Sequence, residues 1–178
     1  MFPHACSNYI KLFCPCSQQT LSAILNLRSL RRWLGRCYWG PSTVPSPTLS
    51  PTNVICVSSS EDPDVKSKLT KAGFVVREVS GAGYKILAVI AGLADGYVLS
   101  KSSTFKWDTC GPQAILRSRG GDVVKFESVL RGEIVPLDYK DVQDASQKET
   151  KINKYCNYGG VIAYGNKDVL GKILGAFS

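Results

Sequence analysis

Short apolar strands alternate with helices from residue 54 to the end of the chain, and this alternation constrains the fold most strongly. The strand segments are rich in Val, Ile and Tyr, and the helical segments carry recognisable starts and stops. The pattern predicts an α/β layered sheet-and-helix domain with a largely buried sheet. The predicted strands cover residues 54–57, 74–79, 94–100, 123–126 and 160–164, and the predicted helices cover about 63–72, 84–92, 108–119 and 167–177.

The helix expected near residue 108 has both of its ends marked in the sequence. Asp108 is a suitable N-cap, and Pro112 falls near the first turn, where a missing N–H costs least. Gly120 and Gly121 predict the stop, because glycine adopts the positive φ that follows a helix. A carboxylate that follows Trp107 at a helix start can also face outward and bind a cation, although the spacing alone favours a simple cap.

Two earlier helix starts carry further candidates. Asp62 is predicted to cap the helix that begins at Pro63. Gly81 and Gly83 form a glycine-rich turn into the next helix, where exposed backbone amides can hold phosphate and Lys85 adds a positive charge. An ordinary strand-to-helix turn explains the same glycines, so this turn by itself assigns no function.

The first 53 residues differ in composition from the rest. Residues 1–31 are basic and contain no Asp or Glu, residues 32–53 include a Pro-rich linker, and residues 54–178 form the expected α/β domain. An amphipathic basic helix over residues 20–34 would suit a mitochondrial transit peptide, a surface or membrane-touching helix, or a replaced chain start. Because of the linker, we expect the residues before about 50 to pack poorly against the domain.

The net charge and the cysteine spacing limit the classes of partner, metal site and location that this chain is expected to have. The net charge of +8 suits an anionic partner, but the folded part lacks the basic-aromatic pattern of a nucleic-acid reader. The seven cysteines show no zinc-ligand spacing, which predicts reduced thiols and a cytoplasmic location, with mitochondria as the alternative. No apolar run reaches the ~18–20 residues of a membrane helix. We therefore expect neither a nucleic-acid partner nor a membrane span.

Four motifs together resemble one enzyme family. Trp-Asp at 107–108, followed by a helix and Gly-Gly, is similar to the C-terminal signature of the lithium-sensitive, magnesium-dependent inositol phosphatases. Gly-Ala-Gly-Tyr-Lys at 81–85 resembles the substrate-side loop of one branch. The runs at 36–40 and 157–164 resemble pieces of the inositol polyphosphate 1-phosphatase branch, and the resemblance covers about Trp33 to the C-terminus.

This resemblance implies the C-terminal half of an inositol monophosphatase-like fold, Mg²⁺ as the cofactor and inositol phosphates as ligands. The site residues that it implies are Ser60, Gly81, Ala82 and Lys85 for the substrate and Asp108 for the metal. The family's other metal carboxylates have no match, because Asp62-Pro63-Asp64 has its second Asp one place early. Asp62 also stands where the family has a basic phosphate contact.

The reaction that the resemblance implies is removal of the 1-phosphate from inositol 1,4-bisphosphate and inositol 1,3,4-trisphosphate in phosphatidylinositol signalling. The alternatives are the bisphosphate 3′-nucleotidase branch and a non-catalytic inositol-phosphate-binding fragment. Because carboxylates are missing, we expect the chain alone to be essentially inactive, with a missing N-terminal half as its partner.

Overall fold

The computed structural model describes residues 51–139 and 152–177, together with the backbone of two short strands nearer the N-terminus. These strands, β1 (Leu12–Cys14) and β2 (Arg36–Tyr38), pair in an antiparallel ribbon. The amphipathic helix predicted over residues 20–34 lies outside the described residues, and so does nearly all of the predicted linker.

The main sheet and its helices lie largely where the alternation predicts them, and the α/β layered fold is confirmed. In chain order the elements are β3 (Val54–Val57), α1 (Pro63–Lys71), β4 (Val75–Glu78), α2 (Ala82–Ile90), β5 (Gly96–Leu99), α3 (Lys106–Ser118), β6 (Asp122–Lys125), α4 (Phe126–Leu130), β7 (Val161–Tyr164) and α5 (Lys167–Gly175). A short 3₁₀ helix (Asn153–Tyr155) precedes β7. No helix in the described ranges has the length and apolar character needed to cross a membrane.

The main sheet is mixed, with the strand order β4-β3-β5-β7-β6. β3 pairs in parallel with both β4 and β5, whereas β7 pairs antiparallel with β5 and β6. The chain runs from β3 through α1 to β4 on one side of β3, and then through α2 to β5 on the other side. β3 and β5 therefore flank a topological switch point, where open α/β sheets bind ligands beyond the carboxyl ends of their strands.

Side chains of the sheet alternate between two cores, one on each face. Tyr97 and Leu99 pack with α2 and α3, whereas Val98 between them packs with α1, α4 and α5. The apolar face predicted for the last helix is confirmed, because Leu170 and Ile173 are buried. Each fully buried Leu or Ile contributes roughly 1.5–3 kcal/mol, so the two cores hold the helix layers on the sheet.

The segment after β6 differs from its prediction. The polar composition of residues 129–154 predicts a surface excursion, but Val129 and Leu137 are buried core residues. The N–H of Leu137 donates to the carbonyl of Val123 at 3.0 Å, so this part of the chain covers the edge of β6. Pairing there satisfies edge groups that would otherwise face solvent. Isolated apolar residues among polar ones give no periodic signal, which is why α4 and this edge cover were not predicted.

The approach of β7 to β5 depends on one glycine. Gly160 has φ +78°, and a Cβ at this position would lie 2.1 Å from the carbonyl oxygen of Leu99. Only a residue without a side chain allows that contact. Gly160 therefore fixes the register in which β7 enters the sheet beside the carboxyl end of β5.

Candidate functional site

Loops at the carboxyl ends of β3, β4 and β5 carry the predicted site residues. Ser60 follows β3, Gly81 and Ala82 follow β4 at the start of α2, Lys85 lies in α2, and Asp108 lies in the first turn of α3 after β5. Because these three strands are parallel, their carboxyl ends meet at one edge of the sheet. The predicted residues are thus gathered at the switch point.

The loop after β3 is tied to the end of β5 by a buried acid that the sequence analysis did not single out. Glu61 is 3% exposed, and its Oε2 accepts a hydrogen bond of 3.1 Å from the N–H of Ser100. Its Oε1 accepts from the Ser100 hydroxyl and, at 3.0 Å, from the N–H of Asp62. Ser60 is exposed directly before this anchor. Glu61 thereby fixes the Ser60 backbone across the β3–β5 junction. The available signal was an acid in the short loop between an apolar strand and the next helix.

The start of α2 exposes backbone amides at the same edge. Gly81 is the N-cap with φ +82°, a conformation that favours glycine, and no side chain caps this helix start. The first amides of a helix lack intrahelical acceptors and carry the positive end of the helix dipole. Gly81 and Ala82 therefore offer the kind of uncapped turn that binds anions.

Lys85 lies beneath this turn and is almost fully buried. Its residue exposure is 4%, and its Nζ donates a 3.1 Å hydrogen bond to the carbonyl of Val79. The ammonium also lies 4.8 Å from the ring centroid of Tyr97. Burial lowers the pKa of Lys85, and the charges of Cys56 and Glu61 oppose that shift. Lys85 thus holds the loop between β4 and α2 from below.

Asp108 does not occupy the N-cap position that the sequence predicts. The N-cap is Phe105, with an extended backbone (φ −123°, ψ 163°), so Asp108 is the third residue of α3. Its Oδ2 accepts a 2.9 Å hydrogen bond from the N–H of Phe105. This is the acidic half of a capping box, in which the third helical residue satisfies the amide of the N-cap. An Asp at either position stabilises a helix start, so sequence alone does not separate them.

The first turns of α3 and α2 lie against each other. The carbonyl oxygen of Asp108 is 3.8 Å from the position that a Cβ would take at Gly83. Pro112, which the sequence placed near the first turn, lies inside α3 and cannot donate to that carbonyl. Asp108 is therefore a direct neighbour of the glycine-rich turn. Its role as a metal ligand stays a prediction.

Tyr97 lies beneath these loops in the field of two carboxylates. Its side chain is fully buried, and its hydroxyl has no hydrogen-bond partner within the described part of the chain. Burial raises the pKa of Tyr97, and the negative charges of Glu61, Asp108 and Cys56 raise it further. Tyr97 therefore couples electrostatically to the loops after both β3 and β5. An aromatic residue in an apolar strand resembles any core residue, so sequence offered no signal.

Aromatic side chains border Asp108 on the surface. The rings of Phe105 and Trp107 are stacked, with centroids 4.6 Å apart and planes at 6°, and Tyr155 is tilted against Trp107 at 6.0 Å. Trp107 nevertheless remains 55% exposed. The start of α3 thus combines a fixed backbone with an open aromatic surface.

The described residues do not by themselves fit a magnesium centre. Within residues 51–139 and 152–177, no group of three or more His, Cys, Asp or Glu side chains is placed to hold a metal ion. Asp62 is the N-cap of α1, as predicted, and its Oδ1 accepts a 2.8 Å hydrogen bond from the N–H of Asp64. Magnesium takes several oxygen ligands, and two-metal phosphate chemistry needs a ligand set for each ion. Asp108 is one carboxylate of such a set at most.

Sequence comparison identifies relatives over most of the chain. The profile described as "Inositol monophosphatase family" matches residues 12–156. The profile match thus begins at residue 12, whereas the resemblance read from the motifs begins at about Trp33. Human inositol polyphosphate 1-phosphatase is 33% identical over 162 residues, which cover 75% of this chain and 41% of that enzyme.

A second group of relatives matches a shorter part. Human 3′(2′),5′-bisphosphate nucleotidase 1 is 35% identical over 88 residues, covering 49% of this chain and 23% of that protein. The chain therefore spans less than half the length of these curated relatives.

The fold agrees with the sequence comparison. A solved structure of a Pyrococcus horikoshii protein "with similarities for Inositol-1 monophosphatase" superposes with a TM-score of 0.54 at 16% identity. The superposition covers 80% of this chain and 53% of that protein, and at this identity it shows the fold alone. From the profile match and the shared fold, the chain belongs to the inositol monophosphatase family.

Proposed function

We propose that this chain carries the inositol-phosphate-binding part of an inositol polyphosphate 1-phosphatase-like enzyme of phosphatidylinositol signalling. The proposed reaction of the whole enzyme is magnesium-dependent, lithium-sensitive hydrolysis of the 1-phosphate of inositol 1,4-bisphosphate and inositol 1,3,4-trisphosphate. The oxygen of water bonds to phosphorus, the bond from phosphorus to the 1-oxygen of inositol breaks, and that oxygen takes up a proton, so that inorganic phosphate and the inositol hydroxyl are the products. The free thiols of Cys56, Cys110 and Cys156 are consistent with the cytoplasmic location that belongs to this proposal.

The observation that carries the proposal is the contact between the first turns of α2 and α3. The backbone carbonyl of Asp108 lies 3.8 Å from the Cβ position of Gly83, so the helix turn that bears the Asp108 carboxylate packs against the turn that bears the uncapped amides of Gly81 and Ala82. Such amides suit a phosphate oxygen, and a carboxylate suits a cation that accompanies phosphate. Asp108 is the proposed metal ligand, and Gly81 and Ala82 are proposed contacts of the inositol phosphate.

Ser60 and Lys85 complete the proposed substrate contacts in different ways. The exposed Ser60 offers its hydroxyl and backbone at the β3 end of the same edge. Lys85 holds the carbonyl of Val79 from within the core, so we propose that it positions the loop and adds positive potential beneath a bound phosphate. Its charge acts more strongly there than at the surface because less water screens it.

The 3′-nucleotidase branch is the second candidate. The alignment with the inositol enzyme covers 75% of the chain, against 49% for the nucleotidase, which favours the inositol substrate. The runs at 38–40 and 104–106, and the long segment before Asn157, resemble the inositol branch as well. A binding fragment without catalysis is the third candidate, because Asp108 is the one acidic residue at the proposed site that the family motif matches.

Calorimetric titration of the full chain tests the choice of ligand. We expect saturable binding of inositol 1,4-bisphosphate and inositol 1,3,4-trisphosphate that weakens as salt screens the site. Adenosine 3′,5′-bisphosphate should bind more weakly. Tighter binding of the nucleotide would move the proposal to the nucleotidase branch, and absence of any saturable binding would overturn it.

The same sample tests the expected lack of catalysis. With inositol 1,4-bisphosphate and millimolar magnesium, phosphate release by the chain alone should stay at background. One matched carboxylate leaves the charge of the transferring phosphoryl group largely unneutralised. Addition of an N-terminal half from a relative should restore release if it docks. Robust, lithium-sensitive turnover by the chain alone would show that a carboxylate set has been missed.

A further inference from the structure

Two lysines hold consecutive carbonyls of the loop after β3. The Nζ of Lys66 donates a 3.0 Å hydrogen bond to the carbonyl of Ser59, and the Nζ of Lys101 donates to the carbonyl of Ser60. Lys66 reaches the loop from α1, whereas Lys101 reaches it from the loop after β5. The two side chains make the same type of bond, so any difference in function must come from the rest of their surroundings.

Their charges are compensated differently. The Nζ of Lys66 also forms an ion pair of 2.7 Å with Oε1 of Glu78, and its side chain is 23% exposed. Lys101 is exposed, and no carboxylate among the described residues forms an ion pair with it. An ammonium has three N–H donors, of which the carbonyl of Ser60 takes one. Lys101 thus brings spare donors and an uncompensated positive charge to Ser60.

The backbone on both sides of Lys101 is anchored. Glu61 accepts the N–H of Ser100 immediately before it, and the Ser102 hydroxyl immediately after it accepts a 3.0 Å hydrogen bond from the N–H of Gly159. These bonds hold the first residues after β5 at the switch point. The ammonium is therefore presented at the proposed site from a fixed base, which reduces the entropy cost of binding.

Neither of the other two positions for which a basic phosphate contact is implied supplies a charged donor beside Ser60. The Nζ of Lys85 is engaged by the carbonyl of Val79 inside the core, and Asp62 stands where the resemblance implies a basic contact. A phosphate monoester binds best where charged donors meet its oxygens.

We propose that Lys101 is a phosphate-binding residue of this site, its ammonium bridging the carbonyl of Ser60 and a phosphate group of the bound inositol phosphate. This rests on the proposed function, because it assumes that the switch point holds a phosphate ester. Ser60 and Lys101 then act as one unit, in which the carbonyl orients the ammonium toward the ligand.

The test uses the full chain and compares Lys101→Gln with Lys66→Gln and Lys101→Arg. In calorimetric titrations with inositol 1,4-bisphosphate, Lys101→Gln should weaken binding by roughly ten-fold or more and flatten its salt dependence. Lys101→Arg keeps the charge and should retain most of the affinity. Lys66→Gln loses the same type of carbonyl bond and should bind like the wild type. Thermal unfolding of each variant verifies that it is folded.

Each result has a defined meaning. Equal weakening by Lys66→Gln and Lys101→Gln would show that both lysines only hold the loop, and would overturn the proposal. Wild-type affinity in Lys101→Gln would overturn it as well. If the wild type binds neither inositol 1,4-bisphosphate nor inorganic phosphate, the proposed function itself fails, and that result is recognised without any variant.

Discussion

The starts of α1 and α3 follow parallel strands at the same end of the sheet, on its opposite faces, and each uses an aspartate in a different way. Asp62 is an exposed N-cap whose carboxylate accepts from the N–H of Asp64. Asp108 is half-buried, stands at the third helical position and accepts from the N–H of Phe105. Both helix starts are thereby satisfied by one carboxylate.

The difference lies in what surrounds each carboxylate. Capping and the fixed φ of Pro63 account fully for the start of α1. The start of α3 has further features that capping does not require: contact with the turn at Gly83, an exposed Trp107 and an electrostatic effect on Tyr97. A capping role therefore does not argue against a functional role. Whether an aspartate at a helix start also has a function has to be judged from the residues around it.

The largest expected loss of stability comes from disrupting the contact between Gly160 and the end of β5, the strand that leads to α3. Gly160→Ala would place a Cβ 2.1 Å from the carbonyl oxygen of Leu99, at a position with φ +78°. Overpacking against backbone and a left-handed Ala together should lower the free energy of unfolding by roughly 3 kcal/mol. Urea unfolding followed by circular dichroism measures this change.

A second glycine provides the control for this substitution. Gly171 lies in α5, and a Cβ there would meet nothing within 4 Å. Gly171→Ala should raise stability by about 0.5–1 kcal/mol, because Ala has the higher helix propensity. If the two variants unfold alike, the support from β7 is not what fixes the end of β5 and the loop leading to α3.

An intermediate effect separates the two aspartates directly. Asp62→Ala should cost about 1 kcal/mol through the lost cap, and Asp108→Ala should cost a similar amount through the lost bond to Phe105. Asp62→Asn and Asp108→Asn keep an acceptor oxygen and should remain close to the wild type in stability. Thermal unfolding compares the four variants.

Ligand binding then distinguishes the same asparagine variants. Asp108→Asn should lose the enhancement that magnesium gives to inositol 1,4-bisphosphate binding, whereas Asp62→Asn should keep it, because only Asp108 is the proposed metal ligand. Calorimetry with and without magnesium measures the enhancement. An identical response of both variants would remove the functional distinction between the two helix starts.

The smallest expected change in stability at neutral pH is that of Tyr97→Phe. The pKa of Tyr97 is raised in part by Asp108 and so depends on the start of α3. Tyr97→Phe removes a buried hydroxyl without a described partner and should raise stability by at most about 1 kcal/mol. Because burial, Glu61 and Asp108 raise the pKa of Tyr97 in the folded state, the unfolded chain loses this proton first. Ionisation of Tyr97 therefore leaves the free energy of unfolding unchanged below about pH 10 and lowers it above that pH.

Urea unfolding at several alkaline pH values therefore tests the Tyr97 assignment. The wild type should lose more stability between about pH 9 and 11 than Tyr97→Phe does, since the phenyl ring of the variant has no proton to lose. Parallel decline of both proteins would place the alkaline sensitivity elsewhere, for example at Tyr139, whose pKa is also raised by burial.

Local chemistry explains what could be predicted from the sequence. The bounds of β3, the cap and first residue of α1, and the glycine stop after α3 each depend on neighbouring residues, and each is confirmed. The layered fold follows from strand-helix alternation, which is also local. The predicted site residues lie at one edge of the sheet because the carboxyl ends of parallel strands align.

The features that could not be predicted from the sequence depend on contacts between residues that are distant along the chain. Glu61 and Ser100 are 39 positions apart, and Lys101 and Ser60 are 41 apart, so no local pattern reveals either bond. The burial of Lys85 follows from the packing of α2 on the sheet, whereas a lysine near a helix start reads as exposed. The antiparallel pairing of β7 with β5 and β6 likewise depends on contacts between distant residues.

The position of β7 has a consequence for synthesis of the chain on the ribosome. β7 is the last strand in sequence, yet it lies between β5 and β6. β6 is synthesised before residues 126–160, and it lacks the strand that will pair with it until these residues and β7 have been added. At about 5–20 residues per second, this interval lasts on the order of a few seconds. The parallel part of the sheet can assemble first, and the nascent chain meanwhile presents apolar strand edges on which a chaperone would act.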